Sequence, residues 1–303
     1  MKKFVILFTI IIIFAIFLNG QNLLKPYILA GIEKGEIENV EKTLTKKLIE
    51  ENFVIAGKYS PMNDKNRLII CITHDLIKQT VKKIGGLTAF ASVLRIGLYK
   101  NREGNIEISY TNPFYWGNAY FRKNYPVVSK NYEKIDTLIR ASLRWLKNGK
   151  FTPYGSKKGL SVKKLRNYHY MFGMPYFDDV VIIKKKTDYQ TIIKKINKNL
   201  KREIGGIKKV YQIDYPAKHL TLFGIGLLGE KGEKLFLPKI DIQNPKHITF
   251  LPYELLVMEN KVVMLHGRYR IALSFPDLSM GTFMKIVSTP GYIANKMRLI
   301  TSL

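Results

Sequence analysis

A basic stretch near the C-terminal end carries the side chains best suited to bind a small anion. His266, Arg268 and Arg270 occupy alternate positions within residues 265–274. If this stretch is a β-strand, the three side chains lie on one face, about 6–7 Å apart. One imidazole and two guanidiniums at that spacing can bind a phosphate, a carboxylate or a sulfur oxyanion. The alternative is a solvated, cationic sheet face. Tyr253, shortly upstream, is a further ligand-binding candidate.

A second candidate region is the aromatic segment from Tyr168 to Phe177, which contains His169 and Tyr170. Its aromatic rings could line an apolar ligand pocket, and His169 could ligate a haem. Packing of the rings in a protein core is the simpler explanation. We therefore predict no cofactor, with haem as the one that this segment leaves open.

Most catalytic and metal-binding motifs are absent from the sequence. The single cysteine, Cys71, lies in an apolar run, which excludes an intrachain disulfide and cysteine-based zinc motifs. The five histidines show none of the local spacings typical of zinc sites. Residues 224–229 fit the pattern GxGxxG, but the segment after them is predicted to be too short and broken for the helix that dinucleotide binding requires. No catalytic residue is assigned, and a binding protein is favoured over an enzyme.

The elements that would position these residues recur in two halves of the chain. Val40, Leu44 and Leu48 predict one amphipathic helix, and residues 189–204 predict another that ends at Gly205. Strands are predicted over residues 54–59, 68–73, 93–99 and 106–110, and over residues 210–215, 220–225, 255–258 and 262–273. This order predicts an α+β fold with two related copies of a helix plus antiparallel sheet unit, arising by internal duplication. Two unrelated units with a common order of elements are the alternative.

The end of the first predicted hairpin resembles a bacterial protein family. Residues 106–113 read Ile-Glu-Ile-Ser-Tyr-Thr-Asn-Pro, and they resemble the family named domain of unknown function 302. Residues 251–254 and 265–274 are similar to the second copy in its two-repeat, membrane-associated members. The resemblance covers residues 33–123 and 186–300 and implies a small α+β fold for each copy. It implies no activity and no catalytic residue.

A basic and aromatic connector separates the two halves. Residues 137–177 contain nine basic side chains and no Asp or Glu. They are Arg140, Arg144, Lys147, Lys150, Lys157, Lys158, Lys163, Lys164 and Arg166. Basic residues mixed with aromatics are typical of single-strand nucleic-acid grooves and of membrane-interface segments. The helix predicted over residues 133–147 has an apolar stripe that favours packing on a protein core over lying on a membrane.

The N-terminus predicts export and membrane attachment. Two lysines precede an apolar run from Phe4 to Leu18, which is typical of a signal sequence. No A-x-A cleavage pattern follows the run, so an uncleaved anchor is favoured over a cleaved peptide. Leu23, Leu24, Ile28 and Leu29 could prolong the anchoring helix. The two lysines would remain in the cytoplasm, and the bulk of the chain would lie on the extracytoplasmic side of the cell membrane.

Together these patterns predict four segments and one broad function. Residues 1–31 form the signal anchor or signal peptide, 32–125 the first repeat, 126–185 the helical connector and 186–303 the second repeat. The net charge of +27 favours an anionic partner, such as lipid or an envelope component, and export makes nucleic acid a poor candidate. We predict an exported, membrane-anchored binding or scaffold protein. The alternative is an enzyme or redox accessory acting on a small oxyanion or an apolar cofactor in a pocket between the repeats.

Overall fold

The computed structural model describes residues 23–302, which form an α+β fold with two antiparallel sheets. The predicted anchor from Phe4 to Leu18 lies outside these residues. Among residues 23–302, no helix is both long enough and apolar enough to cross a bilayer. Ile28 and Leu29 do not prolong a helix, because they lie in the first β-strand.

The first sheet has six strands in the order β2-β3-β4-β5-β1-β6. Its strands are β1 (Tyr27–Lys34), β2 (Val54–Tyr59), β3 (Arg67–Thr73), β4 (Leu94–Lys100), β5 (Asn105–Thr111) and β6 (Thr152–Tyr154). The helices of this part of the chain are α1 (Ile37–Glu50), α2 (Asp75–Ile84), α3 (Pro113–Phe121), α4 (Tyr125–Ser142) and α5 (Val162–Arg166). The predicted connector thus contributes β6 to this sheet.

The second sheet has five strands in the order β7-β11-β10-β9-β8. Its strands are β7 (Val181–Lys184), β8 (Ile207–Tyr215), β9 (Leu220–Leu227), β10 (Tyr253–Met258) and β11 (Lys261–Met264). The accompanying helices are α6 (Tyr189–Leu200), α7 (Glu233–Ile240), α8 (Gly267–Ser274), α9 (Met280–Met284) and α10 (Thr289–Ser302).

The two sheets share one strand order. If β6 is set aside, β2-β3-β4-β5-β1 corresponds strand for strand to β8-β9-β10-β11-β7. The ladder register shifts at the same place in both, between Ile55 and Gly57 in β2 and between Lys209 and Tyr211 in β8. Each final hairpin leads into a helix, α3 or α8, whose N-cap side chain accepts a hydrogen bond from the backbone.

The amphipathic helices form where the apolar spacing predicts them. Val40, Leu44 and Leu48 of α1 are buried, and the intervening charged residues face solvent. In α6 the buried positions include Ile192 and Ile196, and the Asp188 side chain caps the helix by accepting from the Thr191 N–H at 2.8 Å.

The strand predicted over residues 262–273 is wrong beyond Met264, because residues 267–274 form helix α8. The ring of His266 caps the helix, its Nδ1 accepting from the N–H of Arg268 at 3.2 Å. Every residue of α8 except Arg268 is buried, so the helix has no polar face and its sequence carries no helical period. His266, Arg268 and Arg270 therefore do not share one sheet face.

The two sheets meet through their edge strands β2 and β8. A Cβ on Gly57 would lie 1.9 Å from the carbonyl oxygen of Val210, so only glycine allows the two backbones to approach this closely. The Tyr59 ring lies over Gly226 of β9. The two halves thus share a continuous core that includes Tyr59, Ile69, Tyr211 and Leu222.

Candidate functional site

The predicted site residues occupy two separate places. His169, His266 and Arg268 line an open surface cleft of about 450 Å³. Arg270 and Tyr253 are buried in the core. Tyr170 lies near the surface, and its hydroxyl donates to the carbonyl of Leu278 at 2.8 Å.

The polar atoms of the cleft are largely used by the protein itself. The His169 ring stacks on Tyr176 with centroids 4.1 Å apart, and its Nε2 lies 2.8 Å from the Met174 carbonyl oxygen. Burial and the neighbouring Arg268 guanidinium lower the pKa of His266, so this ring is neutral at pH 7. Asp179 also lines the cleft and opposes the charge of Arg268. The cleft is therefore open and polar, with little excess positive charge.

Arg270 belongs to a buried ion network at the junction of the two halves. Arg95 Nη2 donates to Glu254 Oε1 at 2.5 Å, and Arg270 Nη1 donates to Glu254 Oε2. Tyr211 also donates to Glu254 Oε1, at 2.7 Å. The second Arg270 terminal nitrogen donates to the carbonyls of Phe250 and Pro252 at 2.6 and 2.8 Å. All three charged side chains are buried.

This network joins equivalent positions of the two sheets. In the first sheet, Cys71 of β3 lies opposite Gly57 of β2 on one side and Arg95 of β4 on the other. In the second sheet, Gly224 of β9 lies opposite Tyr211 of β8 and Glu254 of β10. When the two register shifts are aligned, Arg95 and Glu254 occupy the same place in their sheets. The network carries two positive charges and one negative charge, so a net positive charge is buried in the core. Sequence reasoning missed it because Arg95 and Glu254 lie 159 residues apart.

Metal and thiol chemistry find no support in the described part of the chain. No group of three or more His, Cys, Asp or Glu side chains in residues 23–302 is placed to hold a metal ion. Burial raises the pKa of the Cys71 thiol to about 12, so it is protonated and unreactive at neutral pH.

The glycines of the GxGxxG segment serve close backbone packing. A helix, α7, does follow them, contrary to the prediction. However, a Cβ on Gly229 would lie 2.6 Å from the Gly205 carbonyl oxygen, and one on Gly232 would lie 2.0 Å from that of Leu227. The buried Glu233 carboxylate accepts hydrogen bonds from the N–H groups of Leu227 and Met62, both at 2.9 Å. The glycines and the Glu233 carboxylate thus make contacts within the protein.

A basic face with exposed apolar side chains lies around Leu24, shortly after the apolar N-terminal run. Leu24 forms an antiparallel bridge with Leu160. Four exposed lysines flank this bridge, namely Lys157, Lys158, Lys163 and Lys164. The N–H of Lys157 donates to Asp277 Oδ2 at 2.5 Å. The Tyr170 hydroxyl donates to the carbonyl of Leu278, the residue after Asp277. These contacts link Lys157, through Asp277 and Leu278, to Tyr170, which directly precedes the exposed Met171 and Phe172. We call this surface, residues 157–164 with 171–172, the exit face.

Comparison with known proteins adds no identification. Neither a scan against protein-family models nor a search of curated proteins gives a match to this chain. The resemblance to the domain of unknown function 302 family therefore rests on the quoted residues alone.

Proposed function

We propose that this chain is an exported, membrane-anchored binding or scaffold protein that holds its exit face against anionic lipid headgroups. The observation that carries the proposal is the Leu24–Leu160 bridge. It ties the backbone next to the apolar N-terminal run to a loop with four exposed lysines. A chain anchored at that point would present these lysines to the headgroups, where each contributes about 1 kcal/mol of attraction to an anionic surface.

The apolar side chains of the exit face support the same orientation. Phe172 is fully exposed, and Met171 is 39% exposed. Isolated exposed apolar residues are ordinary, but aromatic and apolar tips bordered by lysines are typical of surfaces that lie in a membrane interface.

The alternative of an enzyme acting between the repeats has weaker support. It requires a closed cavity on which His266, Arg268 and Arg270 converge. The Arg270 guanidinium instead bonds Glu254 in the core, while the other two line an open cleft.

We also infer that the two halves are diverged copies of one ancestral unit. The shared strand order, the matching register shifts and the capped helix after each final hairpin support this inference. The connector and β6 would then be later additions to the first copy.

The lysines of the exit face should be shielded specifically by anionic lipid. The full chain is reconstituted into vesicles with or without anionic lipid, treated with an impermeant amine reagent, and analysed by mass spectrometry for each lysine. We expect Lys157, Lys158, Lys163 and Lys164 to react about fivefold more slowly on anionic vesicles, since about 1 kcal/mol per lysine corresponds to that factor.

The control set is four exposed lysines of the second half. They are Lys194, Lys198, Lys201 and Lys208, and their reactivity should not depend on the lipid. Equal reactivity of the two sets on both lipids would refute the headgroup contact. Failure of the chain to float with either vesicle would refute the anchor.

A further inference from the structure

A pocket of about 580 Å³ lies between the end of α2, the end of α3 and the end of α5. Its volume is in the range typical of small-molecule sites. The pocket is distinct from the cleft that contains His169 and His266. Its wall is formed on one side by residues 84–88 and on the other by residues 120–124, with Arg166, Asn167, Phe177 and Asp178 completing it.

One part of the pocket wall is apolar and aromatic. The rings of Tyr120 and Phe177 stack with centroids 5.6 Å apart. These two rings and Phe121 are almost fully buried, so Ile84 and Leu87 are the apolar side chains of this wall that are partly exposed. An apolar group can therefore pack against Ile84 and Leu87, which distinguishes the pocket from a site for a bare inorganic ion.

The other part of the wall is cationic. Arg122, Lys123 and Arg166 face a single carboxylate, that of Asp178, which gives the lining an excess of two positive charges. Asp178 pairs with Arg122. Arg166 donates through Nε to Asn118 Oδ1 at 2.8 Å. Within residues 23–302, neither Lys123 nor Arg166 has an ion-pair partner, so both can bind an added anion.

The buried ion network strengthens this positive field. Tyr120 forms part of the pocket wall, and its buried hydroxyl lies next to the Arg270 side chain of the network. Its electrostatic neighbours are Arg270, Glu254 and Arg95. The net positive charge of the network therefore lies behind the pocket in a low-dielectric core, where its attraction for an anion is weakly screened.

At the pocket edge, the backbone of Arg122 adopts a conformation that is rare for residues other than glycine. Arg122 has a φ of 52° and a ψ of −125°. Such a geometry costs on the order of 1–3 kcal/mol and is most often retained where it positions a functional group. Here it directs consecutive cationic residues, Arg122 and Lys123, to the same pocket.

We propose that this pocket binds a small organic anion with an aromatic or apolar body and a phosphate or carboxylate group. The body packs on Ile84 and Leu87, and the anionic group binds Lys123 and Arg166. This site is independent of the exit face and does not require the membrane contact.

Phenyl phosphate is the probe for the pocket. Two partial probes accompany it: phenol, which lacks the phosphate group, and inorganic phosphate, which lacks the aromatic ring. Binding to the full chain in non-ionic detergent is measured by ligand-observed NMR. We expect phenyl phosphate to bind at least tenfold more tightly than either partial probe. Lys123→Gln and Arg166→Gln should each weaken phenyl phosphate about tenfold and leave phenol unchanged.

Lys130→Gln, at an exposed position of α4 outside the pocket, is the matched control and should leave all three affinities unchanged. Lys123 is exposed, so its variant reports on binding even if the Arg166 variant is unstable. Equal affinities for phenyl phosphate and phenol, no detectable binding of phenyl phosphate, or equal effects of Lys123→Gln and Lys130→Gln would each overturn the proposal.

Discussion

Replacing Glu254 with alanine should lower the free energy of unfolding by about 3–5 kcal/mol. The change leaves Arg95 and Arg270 buried beside each other without their shared carboxylate. It also removes the acceptor of the Tyr211 hydroxyl. A buried ion pair contributes little stability compared with apolar residues of the same size. Removing only one partner nevertheless lowers the free energy of unfolding strongly, because the remaining charge is desolvated and unpaired.

The measurement is denaturant unfolding of the full chain in one non-ionic detergent. Glu36→Ala is the matched control, since Glu36 also pairs with a cation, Lys100, but is exposed. An exposed pair contributes about 0–1 kcal/mol, so the control should unfold almost as the unmodified chain does. Similar losses in the two variants would mean that the Glu254 network does not hold the two halves together.

Replacing Gly57 with alanine should destabilise the protein by about 1–3 kcal/mol or more. The new Cβ would lie 1.9 Å from the Val210 carbonyl oxygen. This obstacle is backbone in an adjacent sheet, so no side-chain rotation can relieve the overlap. The β2 and β8 strands must separate, which disturbs the core on both sides of the contact.

Gly291→Ala is the comparison for this variant. Gly291 lies in α10, and a Cβ there would meet no atom within 4 Å. Alanine is the better helix former by up to about 1 kcal/mol, so this variant should be at least as stable as the unmodified chain. If Gly57→Ala unfolded at the same denaturant concentration as Gly291→Ala, the close contact between β2 and β8 would be disproved.

Local patterns in the sequence predict the elements that have one apolar face. The helix containing Val40, Leu44 and Leu48 was predictable because its buried side recurs at helical spacing. The first hairpin was predictable because apolar and polar residues alternate in both strands, on either side of a polar turn. Both signals come from neighbouring residues and need no knowledge of tertiary contacts.

Helix α8 was not predictable by the same reasoning. Tyr269, Ile271 and Leu273 are all buried, and so is Arg270 between them. A helix that is buried on all sides shows no helical spacing of apolar residues in its sequence. The basic residues at alternate positions then fit the pattern of a strand. The N-cap was the one local signal available, since His266 precedes the helix as Asn112 precedes α3.

The candidate sites depend on contacts between distant residues. The sequence singled out His169, His266 and Arg268, and the fold brings them to one cleft. The sequence also placed Arg270 on one strand face with His266 and Arg268, but the Arg270 guanidinium bonds Glu254 in the core. Arg122 and Lys123 of the second pocket were not singled out, because their role depends on the position of Arg166 and Phe177.

The most direct test of the proposed function is the depth of Phe172 in a vesicle that carries the full chain. Phe172→Cys is labelled with an environment-sensitive fluorophore, and spin-labelled lipids serve as quenchers. The native Cys71 is buried and protonated, so the label reacts only at the new site. Val54→Cys is the control, because β2 lies at the opposite edge of the sheet from β6, roughly 24 Å away at about 4.8 Å per strand.

We predict that the emission of the label at position 172 shifts to shorter wavelength and is quenched on anionic vesicles, whereas the label at position 54 is unaffected. Equal, water-like emission from both labels on a chain that floats with the vesicles would contradict the proposed orientation.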